Sequence, residues 1–259
     1  MNKILISIVA TMAMATTSFA DITEKQLNLY MKASGGDAAL TTIKTQLGGS
    51  LQQRAAMEGK TIPPKVFEAI NAVATKDENL KKFTAGLIKL DEKEYSDIMK
   101  FYETDLGKKV AETARNMDMA TMQKEMMEFS KKEMSSERKV IISQLATSLM
   151  SEEQQIKISK SMALSMISSM PKEMQEMMKS QIEKQIEASR PILKQQVELS
   201  TGYTYKDFSD KELNALTART KTIAGRAEIE AMTNGMVSYM GTVMPEMIAE
   251  LTKMGKESK

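Results

Sequence analysis

Apolar residues along most of this chain recur every third or fourth position, the spacing that gathers them on one face of a helix. Strand-like alternation of β-branched residues is nearly absent, and the dominant residues, Glu, Lys, Gln, Met, Ala and Leu, are good helix formers. The pattern predicts an all-α protein. Helix breaks are expected at Gly35-Gly36, Gly59 to Pro64, Ser135-Ser136, Ser168 to Pro171 and Gly202. Asp37, Thr61, Ser136, Ser151 and Ser209 are candidate N-caps. Pro191 sits inside a helical run, where it starts a new helix or kinks one.

One stretch is nearly said twice. Residues 91–112 read DEKEYSDIMKFYETDLGKKVAE, and residues 209–230 read SDKELNALTARTKTIAGRAEIE. Each opens on a cap residue with Glu three places on, Asp91 with Glu94 and Ser209 with Glu212. Tyr95, Ile98, Met99 and Tyr102 then lie on one helix face. That helix is expected to end near Thr104, which is a good N-cap for a second helix, with Asp105 favoured by its dipole. Gly107 falls in the first turn, where glycine gains nothing in helix propensity, so close approach of the preceding helix is the better explanation. In the later stretch Thr222 and Gly225 take the places of Thr104 and Gly107, and Leu213 and Leu216 those of Tyr95 and Ile98. Five of 22 pairs are identical, which is weak alone, but the matches fall on cap, corner and apolar positions. Convergence of two capped amphipathic helices would leave similar signs. The expectation is a duplicated helical bundle, with helical hairpins in two similar halves at 21–135 and 136–254 and a fraying tail at 255–259. The first corner, with Phe101-Tyr102, is expected to be anchored in its core. The second, with Arg219-Thr220, is expected to be looser, with Arg219 solvated or turned toward a partner.

At FYETDLGKK, 101–109, the chain resembles domain-of-unknown-function family 2059, a group of exported bacterial helical proteins. The family hallmark is a Phe-Tyr pair, a Ser-Pro-x-Gly corner and a basic residue. Phe101, Tyr102, Thr104, Gly107 and Lys108 sit on that pattern, with Thr104 for the serine and Asp105 where proline is usual. The second copy departs further, because Arg219 and Thr220 replace the aromatic pair. The resemblance implies a helical fold and export; it implies no activity.

The N-terminus carries the same expectation independently. Lys3 precedes an apolar run from Ile4 to Ala15, and Ser18-Phe19-Ala20 presents small residues where a signal peptidase looks for them. Residues 1–20 are therefore expected to be a signal peptide for the general secretory route, leaving a soluble periplasmic protein with no transmembrane segment. Removing them lowers the net charge from +2 to +1, because Lys3 is their one charged residue. Such a balance sets up no field to attract nucleic acid, and no nucleic-acid partner is expected.

Composition narrows the chemistry. Cysteine, histidine and tryptophan are all absent. The chain thus lacks disulfides and thiolates, the usual general base and the usual metal ligand. Ser136-Glu-Arg-Lys139 has the Ser-x-x-Lys spacing of penicillin-binding enzymes but none of the companion elements. No catalytic residue, metal ligand or cofactor site stands out, and no cofactor is expected. Methionine is abundant, 25 in all, 13 of them between Met117 and Met178. Met162, Met166, Met170 and Met174 form an i, i+4 stripe, either core or an adaptable apolar contact surface. The favoured reading is a non-enzymatic module for another envelope protein, an unfolded client or an apolar ligand. A Met-based Cu(I)-handling protein or a carboxylate-dependent enzyme of envelope polymers is the alternative. Amino-terminal sequencing of the protein recovered from its native host should begin at Asp21; retention of Met1 in a cytoplasmic fraction would overturn the export expectation.

Overall fold

The computed structural model describes residues 21–38, 40, 63–167 and 172–257, with positions 119, 120, 123, 162, 166 and 255–257 described by backbone alone. The expected signal peptide, the Thr61 cap and the break at 168–171 lie outside the described residues. Among the described residues every regular element is helical. They are α1 (Glu24–Ser34), α2 (Pro64–Ala74), α3 (Asp77–Thr84), α4 (Glu92–Glu103), α5 (Asp105–Arg115), α6 (Met119–Ser130), α7 (Ser136–Leu149), α8 (Glu152–Ile167), α9 (Lys172–Ala188), α10 (Arg190–Thr204), α11 (Asp210–Thr220) and α12 (Ile223–Glu257), with a 3-10 turn at Leu87–Lys89.

Local signals explain where these helices start. Thr23, Asp91 and Ser209 each close a capping box, with Gln26, Glu94 and Glu212 as the reciprocal partners. Ser151 accepts from the Gln154 amide at the head of α8. Pro191 lies in the first turn of α10, where its missing N–H costs nothing. Two expectations shift. Ser135, not Ser136, caps α7, accepting from the Arg138 amide at 3.2 Å. Gly202 does not break its helix; α10 runs through it to Thr204 because a buried glycine there lets Phe129 and Ile142 come close. The tail expected to fray from 255 is helical to Glu257.

The corner at Thr104 forms as its sequence dictates. The Thr104 hydroxyl donates to the Phe101 carbonyl at 2.6 Å and accepts from the Gly107 amide at 3.0 Å. Thr222 repeats both bonds, to the Arg219 carbonyl at 2.8 Å and from the Gly225 amide at 3.0 Å. A β-carbon on Gly107 would lie 2.0 Å from the Phe101 carbonyl oxygen, and one on Gly225 would lie 2.2 Å from that of Arg219. Glycine is required at both because backbone meets backbone there.

The two hairpins do not form separate bodies. α12, the longest helix, packs on α2, α3, α4 and α8, so elements from both sides of Ser135-Ser136 share its surface. One core cluster joins Tyr95 and Ile98 of α4 to Ala224 and Ala231 of α12, together with Leu27, Tyr30 and Met31 of α1. Another joins Leu213 and Leu216 of α11 to Ile142 and Leu145 of α7, with Leu106 and Val110 of α5 packed against it. A third buries Val73, Ala74, Leu80 and Phe83 against Tyr239 and Val243 of α12. The break at Ser135-Ser136 is real as a helix boundary, but the parts on either side of it interlock.

Replacing Gly107 with Leu should cost on the order of 1–3 kcal/mol through overpacking of a rigid backbone contact. Gly241 makes the contrast: among the described side chains a β-carbon there would meet nothing closer than 3.8 Å. Gly241→Ala should stabilise the helix by about 0.5–1 kcal/mol. Urea denaturation of both variants measures the difference, and equal effects would contradict the packing of the corner.

Candidate functional site

The apolar face of α12 carries one acid. Glu228 lies between Ala224 and Ala231, one turn from each, and its side chain is only 9% exposed. Burying a carboxylate unpaired would be prohibitive. Three groups from three helices prevent that. Tyr30 of α1 and Tyr102 of α4 each donate to Glu228 Oε1 at 2.8 Å. Arg219 of α11 brings Nη2 to 2.5 Å from Oε2. The Arg219 guanidinium also stacks 4.7 Å over the Phe101 ring. Phe101 and Tyr102 meet edge to face, as do Tyr30 and Tyr102.

This geometry corrects the expected asymmetry of the corners. Arg219 is not solvated: its side chain is 16% exposed, and Thr220 beside it is buried. A cation can be buried here because Glu228 neutralises it and an aromatic face covers it. Phe101 and Tyr102 are partly buried, so the first corner is no more anchored than the second. Position 219 stands in the second stretch where 101 stands in the first, and the two residues touch. As half of the basic pair Lys108-Lys109, Lys109 reads in the sequence as an ordinary solvated position. It is no ordinary solvated lysine, because it pairs with Glu212 at 2.8 Å, donates to the Asp207 carbonyl and lies over the Phe208 ring. Glu212 is held down to about 2, chiefly by that lysine and then by Ser209.

The polar cluster lies in the wall of a cavity of about 690 Å³. Tyr30, Phe101, Tyr102, Arg219 and Glu228 line one part of it. Leu145 and Leu149 of α7, Ile158 of α8, and Leu193 and Val197 of α10 line another, and Ile229, Met232, Met236 and Met240 carry the face of α12 along it. The lining is mostly apolar, and Glu228 is the one acid in it among the described residues, which therefore do not offer the carboxylate pair that a glycosidase-like mechanism needs. Among the described residues no group of three or more acids, histidines or cysteines could hold a metal ion.

Of the residues singled out in the sequence, Phe101, Tyr102, Thr104, Gly107, Thr222 and Gly225 come together where the two hairpins cross, and only Phe101 and Tyr102 reach the cavity. Of the methionine stripe, only Met174 has a described side chain, and it does not line the cavity. Met174 on α9 is 48% exposed and its neighbour Met177 is 77% exposed. Met162 and Met166 lie on α8, and Met170 lies outside the described residues. Sequence reasoning missed Glu228 and the methionines of α12. The available signal was a charged residue between alanines on an otherwise apolar helix face.

Residues 89–133 match the family described as uncharacterized protein conserved in bacteria (DUF2059). The matched stretch contains α4, α5 and α6, with the Thr104 corner, and agrees with the resemblance drawn from FYETDLGKK. Arg219, Glu228 and most of the cavity wall lie outside it. No curated protein and no solved structure matches the chain.

The phenols make the cluster sensitive to alkali. Burial, and then the Glu228 charge, push Tyr30 and Tyr102 well above the ordinary value of 10.0. The same two causes push Tyr205 up to about 12. Above pH 10 the unfolded chain therefore gives up phenolic protons that the folded chain keeps, so stability present below pH 10 is lost as pH climbs toward 12. Urea midpoints should fall through that window, and Tyr102→Phe should make the fall shallower than in the parent protein. Parallel slopes in the two proteins would mean that Tyr102 is not titrating from a buried site.

Proposed function

We propose that this protein is a non-enzymatic binding module of the bacterial envelope that holds an apolar small molecule in the cavity between α7, α8, α10 and α12. The observation that carries this reading is the cavity itself. Its volume of about 690 Å³ falls in the range of small-molecule sites, about 300–1,000 Å³, and its lining is apolar with a few convergent polar groups. A protein core close-packed for stability alone leaves few voids larger than a water molecule. Methionines 232, 236 and 240 give the wall a polarisable, adaptable surface suited to such a ligand.

Export to the periplasm belongs to this proposal and rests on the N-terminal pattern of Lys3, the apolar run and Ser18-Phe19-Ala20. No helix among the described residues is long and apolar enough to cross a membrane. Duplication of one helical hairpin also belongs to it. The matched Thr-x-x-Gly corners, and the contact between the corresponding positions 101 and 219, support a fused pair related by a local two-fold axis.

The test uses an uncharged apolar fluorophore, N-phenyl-1-naphthylamine, titrated into the purified protein. It should bind at one site and gain fluorescence. Val197→Trp, which fills the cavity from α10, should weaken binding by about tenfold or more while leaving the melting curve in place. Binding that is absent, or unmoved by the filled cavity in a folded variant, would sink the reading.

A further inference from the structure

The chemical class of the ligand can be taken further, resting on the cavity reading above. Among the described residues the charged side chains in the wall are Arg219 and Glu228, and they neutralise each other at 2.5 Å. The wall therefore presents no net charge. An ionised carboxylate or phosphate entering it would place a second anion near Glu228 with no cation left to meet it, and a cationic head would find its counter-charge already taken.

The wall is not polar-free, however. Gln155, on α8, is buried with its Oε1 lacking a hydrogen-bond partner, while its Nε2 donates to the Met150 carbonyl at 3.2 Å and so fixes the amide. Arg219 Nη2 is buried too, but it already has a partner in Glu228 Oε2 at 2.5 Å. Gln155 Oε1 is an acceptor, and Gln155 lines the cavity. Buried polar atoms are nearly always satisfied in native proteins, and an exception calls for a missing partner. Tyr30 and Tyr102 cannot serve, because their hydroxyls are committed to Glu228. The Thr233 hydroxyl already donates to the Ile229 carbonyl. A plain alkane would leave the Gln155 oxygen unpaired.

We propose that the cavity takes a neutral single-chain amphiphile, with an alkyl chain among the apolar residues of α7, α10 and α12 and an uncharged head that donates to Gln155 Oε1. A glycerol ester with free hydroxyls has this chemistry; a fatty acid ionised at neutral pH does not. The ligand class is thus a monoacylglycerol-like lipid, distinguished from a free fatty acid by its head and from a hydrocarbon by its hydrogen bonds.

Competition separates the possibilities. Monomyristoylglycerol and myristate, each below its micelle concentration at about pH 8 where the acid is ionised, are titrated against N-phenyl-1-naphthylamine bound to the purified protein. The glyceride should displace the probe at a concentration about tenfold or more below that of myristate. Gln155→Met, close in size but without the acceptor, should erase most of that preference, read as the ratio of the two displacement midpoints. Failure of the probe to bind at all would overturn the cavity reading and this proposal with it. Probe binding with myristate as the equal or better competitor would leave the cavity reading standing and overturn the neutral-head proposal. A preference unchanged in a folded Gln155→Met would overturn the assignment of the head to Gln155. The comparison of the two lipids on the unsubstituted protein decides the question even if that variant does not fold.

Discussion

Burial of Glu228 is the constraint on which the rest of the arrangement depends. Its carboxylate is out of water on the inner face of α12, and it is acceptable there only while α1, α4 and α11 each deliver a donor. Replacing such a pair by apolar residues is often neutral, but leaving one member alone costs about 3–5 kcal/mol. The cluster therefore contributes less to net stability than to excluding alternatives. An arrangement that shifts α4 or α11 along α12 strands a charge, so the crossing of the two hairpins is specified by electrostatics where apolar side chains alone would tolerate sliding.

The corners make that crossing possible at short range. Thr104 and Thr222 turn the chain with the same two hydrogen bonds, and the glycines three residues on let the second helix start directly against the end of the first. With both corners compact, Phe101 and Arg219 can stack across the junction, and Glu228 comes within reach of both tyrosines. The same device recurs where α3 meets α12, since a β-carbon on Gly235 would lie 1.9 Å from the Phe83 carbonyl. Close backbone contact at these points contrasts with the open space between α7, α8, α10 and α12. The molecule is tight where the hairpins cross and spacious beyond it, and the polar cluster lies at the border between the two.

The two hairpins differ at the positions where they meet. The place held by Phe101 in one is held by Arg219 in the other, and each covers its counterpart. Val110 occupies the place that Glu228 takes in the second hairpin, so one cluster is closed by apolar contact and the other by an ion pair. Two identical copies facing each other would set arginine against arginine or aromatic against aromatic. The unlike pair instead places a cation on a π face, which is favourable when desolvated.

Helical class, the capping boxes at Asp91 and Ser209 and the two Thr-x-x-Gly corners were all legible in the sequence, because each is a local arrangement written within a few consecutive residues. Helix periodicity and side-chain-to-backbone caps need no knowledge of the rest of the chain. The packing partners did need it. Arg219 read as a solvated residue because nothing within a turn of it announces Glu228 as a partner, and Phe101 lies more than a hundred residues away. Lys109 read as an ordinary basic position because its acid, Glu212, belongs to the other hairpin. Gly202 read as a break because the low helix propensity of glycine is a local quantity, whereas the room it makes for Phe129 and Ile142 is not. The methionine stripe drew attention by its spacing, yet the methionines described along the cavity are Met150 and three from α12, where only the meeting of four helices creates a space to line. What one helix does with its own residues was determined by the sequence alone. Whether a charge is solvated or buried, and whether apolar faces close on one another or leave a cavity, was decided by tertiary structure, because desolvation depends on which distant surfaces arrive together.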